Sequence, residues 1–110
     1  MRIFYLQYNE TEATVRKKIL EESGHEVIAH WSTGAAKFRD ELADVVIISL
    51  EQLPSHGRTM AEWFWEAKER QHIPIIFVGG FPEKVAVTKK QFPKAKFCKI
   101  EKLKEVISKI

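Results

Sequence analysis

Short apolar runs alternate with amphipathic segments along the whole chain. Ile3 to Leu6 has the β-branched and aromatic make-up of a buried strand. Asn9, with Glu12 three residues on, forms a helix-start signature, and Ser23-Gly24 supplies the stop. Between them Val15, Ile19 and Leu20 make an apolar arc. Val27 to Trp31 reads as a second strand. Ser32 or Thr33 caps a second helix whose Ala35, Phe38 and Leu42 share a face.

Val45 to Leu50 is apolar at successive rather than alternate positions. Both faces of this third strand must then be covered, as in the centre of a parallel sheet. A loop from Glu51 to Gly57 follows, then a helix from about Arg58 to Gln71. Ile73 to Val78 is a fourth strand, with Pro74 tolerated at its start. Gly79-Gly80 turns the chain, and Pro82 opens a helix to about Gln91. Ala95 to Cys98 is a short fifth strand. Leu103, Val106, Ile107 and Ile110 define a closing helix.

Five strands alternating with five helices predict an α/β fold of the (βα)5 type. It is a three-layer, flavodoxin-like sandwich with a parallel sheet in the order 2-1-3-4-5. One domain spanning residues 1–110 suits this length. In such sheets the working site lies beyond the carboxyl ends of the strands. That rule selects Gln7, Tyr8 and Asn9, then Ser49 and Leu50, then Gly79 and Gly80, and finally Lys99.

Composition narrows the class. The longest apolar run, Val45 to Ile48, falls far short of the roughly 20 residues of a membrane span. The lone cysteine, Cys98, excludes an internal disulfide or a cysteine-rich metal site and fits a reducing cytoplasm. The four histidines have no metal-ligand spacing, so no metal and no cofactor is expected. Ser49 and Ser55 lack a nucleophile elbow, so no catalytic residue and no enzyme activity is expected.

Charge is uneven. Residues 81–110 carry nine lysines against three glutamates, a net of +6, which leaves residues 1–80 at −3 within the overall +3. Lysine without arginine, and without interleaved aromatics beyond Phe92 and Phe97, is a poor nucleic-acid signal. Trp63, Phe64 and Trp65 cannot all face one core. Met60, Trp63, Phe64 and Ala67 share an arc, which leaves Trp65 exposed among Arg58, Glu62 and Glu69 as a candidate contact for another protein.

The stretch from Asp44 to Gly57 resembles the third strand and following loop of response-regulator receiver domains. His72 to Gly79 resembles their fourth strand. The chain is also similar to small stand-alone receiver-like bacterial proteins. The resemblance implies a two-component signalling module in which an acidic pair and an acceptor aspartate hold Mg²⁺. It also implies a Ser or Thr and a Lys that grip the phosphoryl oxygens. Here the acidic pair falls on Gln7 and Tyr8. The acceptor falls on Ser49 counted from Asp44, or on Leu50 counted back from Pro54. The hydroxyl position falls on Gly79, and Lys99 stands for the lysine.

These positions imply a degenerate receiver that works by contact with another protein, or with its own copy, rather than by phosphorylation. The helix opened by Pro82, the fifth strand and the closing helix would carry Lys89, Lys90, Lys96, Lys99, Lys102 and Lys104 toward an acidic partner. The rival expectation is a small anionic ligand above Gln7, Tyr8, Ser49 and Gly79, with Lys99 as its counter-charge.

Overall fold

The computed structural model describes residues 1–31 and 43–110. The helix expected from Ser32 through Leu42 lies outside the described residues. In chain order the elements are β1 (Arg2–Leu6), α1 (Glu10–Glu22), β2 (Glu26–His30), β3 (Val45–Ser49), α2 (Pro54–Glu66), β4 (Ile75–Val78), α3 (Pro82–Gln91) and β5 (Lys96–Cys98). A 3-10 turn (Ile100–Lys102) then runs into α4 (Leu103–Ile107).

All four strand pairings are parallel, and the order is β2-β1-β3-β4-β5, as the alternation predicts. Leu6 lies beside Ile48, Ser49 beside Val78, and Val78 beside Cys98. The carboxyl ends of β1, β3, β4 and β5 therefore stand abreast, with Gln7 the next residue beside Ser49.

Each face of the sheet has its own core. Phe4, Leu6, Val46, Ile48, Ile75 and Phe77 pack under α2 and α3, together with Phe64 and Phe92. Ile3, Tyr5, Val45, Ile47, Ile76 and Val78 pack under α1 and α4, through Leu20, Leu103 and Ile107. β3 is buried at every position, because a central strand covered on both faces has no polar side to offer.

The Asn9 side chain accepts from the Glu12 amide at 3.0 Å, which satisfies one orphan donor of the first turn of α1. The inward row of α1 matches the expected arc at Leu20, which is buried, and at Ile19, which is half-buried, but not at Val15. Ala13 and Leu20 are buried with Arg16 and Lys17 half-buried between them, and Val15 is 49% exposed. These residues recur at three- and four-residue steps, so two basic side chains lie on the buried stripe with their stems packed.

α2 starts at Pro54, four residues before the expected start, and stops at Glu66 instead of Gln71. Proline suits the first helical position because its missing N–H has no partner there anyway. Gly57, expected in the loop, is buried inside α2; a Cβ on it would come within 2.9 Å of Ile48 Cγ2. Glycine lets the helix lie close on β3 at that point. The helix ends early because Arg70 takes its last carbonyls. Arg70 Nε donates to Phe64 O at 3.2 Å and Nη2 to Trp63 O at 2.9 Å. Its guanidinium also lies 3.9 Å from the Trp63 ring centroid. The last helix is short. Leu103 and Ile107 are buried as the spacing predicts, whereas Ile110 lies past the helix and is 41% exposed.

Candidate functional site

The carboxyl ends of the strands gather the residues that the sequence singles out. Gln7 and Ser49 are 3% and 1% exposed. Ser49 Oγ accepts from the Glu51 amide at 3.2 Å, so the hydroxyl serves the turn after β3. Leu50 is buried, and its amide donates to Val78 O. Tyr8 is half-buried with the His56 ring edge-on at 5.2 Å. Of the positions matched to an acidic pair and its acceptor, Gln7, Tyr8, Ser49 and Leu50, none is a carboxylate, and the nearest acid in sequence is Glu51.

Two glycines shape the turn after β4. Gly79 has φ +70 and Gly80 φ +94, both in the left-handed region that side chains avoid. The Glu51 side chain lies against Gly79, where a Cβ would meet its Oε1. Beyond them opens a cavity of about 410 Å³ lined by Glu51, Gly79, Gly80, Phe81, Lys99 and Glu101. Lys99 does reach this space, but with two carboxylates around it. The lining is net negative, which weighs against an anion at Lys99. The approach of Glu51 to Lys99 was not legible in sequence, because Glu51 comes from the loop after β3 and Lys99 follows β5.

On the other side of Gly79, a groove of about 490 Å³ runs between α3 and β5. Val85, Ala86 and Phe97 give it apolar walls, and Lys89 and Lys99 line it. Phe97 is stacked on Phe77 at 5.2 Å, and Lys89 Nζ lies 5.6 Å from the Phe97 ring. Lys89, Lys90, Lys96, Lys99, Lys102 and Lys104 are all exposed, and among them only Lys102 forms an ion pair among the described residues, with Glu105 at 3.8 Å. The Cys98 thiol lines the same groove, and burial pushes its pKa up, away from thiolate chemistry.

Trp65 is not the free-standing surface residue that the helical arc predicts. It is half-buried, its indole N–H donates to Ile73 O at 2.9 Å, and its ring meets Phe92 edge-on at 5.9 Å. The turn after α2 returns past this face of the helix, which a helical projection does not see. A shallow pocket with Gln71, His72, Pro74 and Lys94 leaves part of the ring accessible.

Glu101 was missed as a site residue, although its place two residues after Lys99 was an available signal.

No protein-family model matches the sequence, and no curated protein sequence matches it significantly. Solved structures do. The chain superposes on the chemotaxis protein CheY4 of Vibrio cholerae with a TM-score of 0.82 at 15% identity, covering 99% of this chain and 97% of that one. The signal receiver domain of a signal transduction histidine kinase from Syntrophus aciditrophicus gives 0.72 at 21% identity, covering 90% and 77%. The N-terminal domain of a response regulator receiver protein from Methanoculleus marisnigri gives 0.70 at 16% identity, covering 99% and 94%.

Proposed function

We propose that this chain, whose likeness to receiver domains is at these identities one of fold, is a single-domain, non-enzymatic signalling module of the two-component type, working in a bacterial cytoplasm by binding another protein without being phosphorylated. The observation that carries this reading is the chemistry of the buried strand ends. Aspartyl phosphorylation needs a carboxylate nucleophile and hard anionic oxygens for Mg²⁺. Gln7, Tyr8, Ser49 and Leu50 supply neither, and Gly79 has no hydroxyl to hold a phosphoryl oxygen. A Mg²⁺ ion does not fit this donor set, and no step is routed through one. Among the described residues no helix is long and apolar enough to cross a membrane.

The groove between α3 and β5 supports the binding half of the reading. Its apolar walls offer buried area, and exposed lysines around it attract an acidic protein surface. Trp65, beside its shallow pocket, is a second candidate contact. Affinity capture with the parent, a Lys89→Glu/Lys99→Glu variant and a Trp65→Ala variant tests this. The double charge reversal is expected to weaken capture of a specific partner by about tenfold or more. Equal capture by the parent and the double variant would move the working face elsewhere.

A further inference from the structure

The groove between α3 and β5 stays open because of how its two sides are built. Pro82, Val85, Ala86 and Lys89 recur at three- and four-residue steps, so one face of α3 forms a wall. Phe97 lies beside Phe77 on the same face of the sheet. Phe77 is buried, but Phe97 is only half-buried, because the three-residue β5 is the edge strand. The two rings are stacked at 5.2 Å with an interplanar angle of 21°. The groove thus has a flat aromatic floor and an apolar wall. Its charge has one sign. Lys89 and Lys99 are its only charged lining residues, and neither forms an ion pair among the described residues. Lys89 Nζ stands 5.6 Å from the Phe97 ring centroid. That is close to the limit of about 6 Å for a cation–π contact, so the ammonium can leave the ring at small cost.

We propose that this groove binds a small, flat aromatic monocarboxylate, its ring laid on Phe97 beside Val85 and its carboxylate held by Lys89, with Lys99 as the second cation. The volume of about 490 Å³ falls within the range of roughly 300–1,000 Å³ for small-molecule sites. A half-open aromatic floor favours a ligand ring that stacks with an offset. The groove also reaches the first turn of α3 at Pro82, where the positive end of the helix favours negative charge. A single negative charge fits better than two. Lys99 also lines the neighbouring cavity with Glu51 and Glu101, and those carboxylates disfavour a dianion more than a monoanion. An occupied groove would exclude the acidic partner proposed above, and that consequence alone rests on the partner-binding reading.

Cys98 supplies the test, because it is the chain's only cysteine and lines the groove. Its alkylation by iodoacetamide near pH 8.5 is followed by intact mass in sodium 2-naphthoate, in the neutral 2-naphthalenemethanol and in sodium acetate, at constant ionic strength. Naphthoate is expected to slow the reaction saturably, by about fivefold or more, while the alcohol and acetate at equal concentration slow it much less. In a Lys89→Gln/Lys99→Gln variant, whose exposed substitutions leave the core untouched, half-protection should need about fivefold more naphthoate. The amide signals of Val85 and Phe97 are followed in the same titrations and stand in if the thiol does not react. No saturable protection or shift with naphthoate, equal protection by the alcohol or by acetate, or an unchanged half-protection concentration in the double variant would overturn the site. The assay contains no protein partner, so a failure of partner capture leaves its result standing.

Discussion

Gly80→Ala is expected to destabilise the protein by roughly 2–5 kcal/mol, more than any other single-methyl addition at the strand ends. Two independent effects add. Gly80 has φ +94, where a side chain is strained whatever the space around it. The new Cβ would also come within 2.8 Å of Leu50 Cβ and 3.3 Å of Leu50 O, on a segment fixed by β3 and its neighbours. Gly79→Ala has the first effect without the second in full. Its Cβ meets the far end of the Glu51 side chain, which can swing toward solvent. Gly79→Ala should therefore cost about 1–2 kcal/mol. Urea unfolding of both variants checks the order. A Gly79→Ala loss equal to or above that of Gly80→Ala would mean that Leu50 does not crowd the turn. The effect bears on function, because this turn sets the start of α3 and hence one wall of the lysine-lined groove.

Alkaline pH is the second large lever. The chain has two tyrosines, and burial raises both phenols above their ordinary value of 10. For Tyr5, burial leads, Gln7 and Arg16 pull the pKa back, and Glu12 and Glu51 push it up. For Tyr8, burial is the cause. The folded state thus holds its phenolic protons more tightly than the unfolded chain. The linked stability is fully present below pH 10 and is lost as pH rises from there through the folded-state values. Each phenol sets a limiting slope of about 1.4 kcal/mol per pH unit between its unfolded and its folded value. Phenolate absorbance should lag behind that of free tyrosine, and urea midpoints should fall between about pH 9 and about pH 11. Normal titration of both phenols near pH 10 in the folded protein would contradict the burial of these two rings.

The strands and their order were legible because a two-sided parallel sheet leaves unbroken apolar runs, and Val45 to Ile48 is the clearest of them. Cap chemistry at Asn9 and proline at Pro82 also read directly into the structure. The start of α2 did not. Leu53, Pro54, Ser55, His56 and Gly57 have the composition of a loop, yet Pro54 is a first helical residue and Gly57 is there for its closeness to Ile48. Trp65 was misplaced for a related reason. A helical arc describes one element, and the bond from Trp65 to Ile73 O depends on how the chain returns after it. The site was half legible. Topology placed Gln7, Ser49, Gly79 and Lys99 at one edge. It could not show Glu51 beside Lys99, since that pair joins segments far apart in sequence.

The central claim is that a receiver fold works here without phosphoryl chemistry, and intact mass after treatment with an acyl-phosphate donor and Mg²⁺ tests it most directly. A receiver domain that retains its acceptor aspartate, treated alongside, shows that the donor is active. The account predicts no added phosphoryl group on this chain, because neither Ser49 nor Leu50 can form an acyl phosphate. A stoichiometric gain of one phosphoryl group would contradict it and place an acceptor in this fold that its strand ends do not reveal.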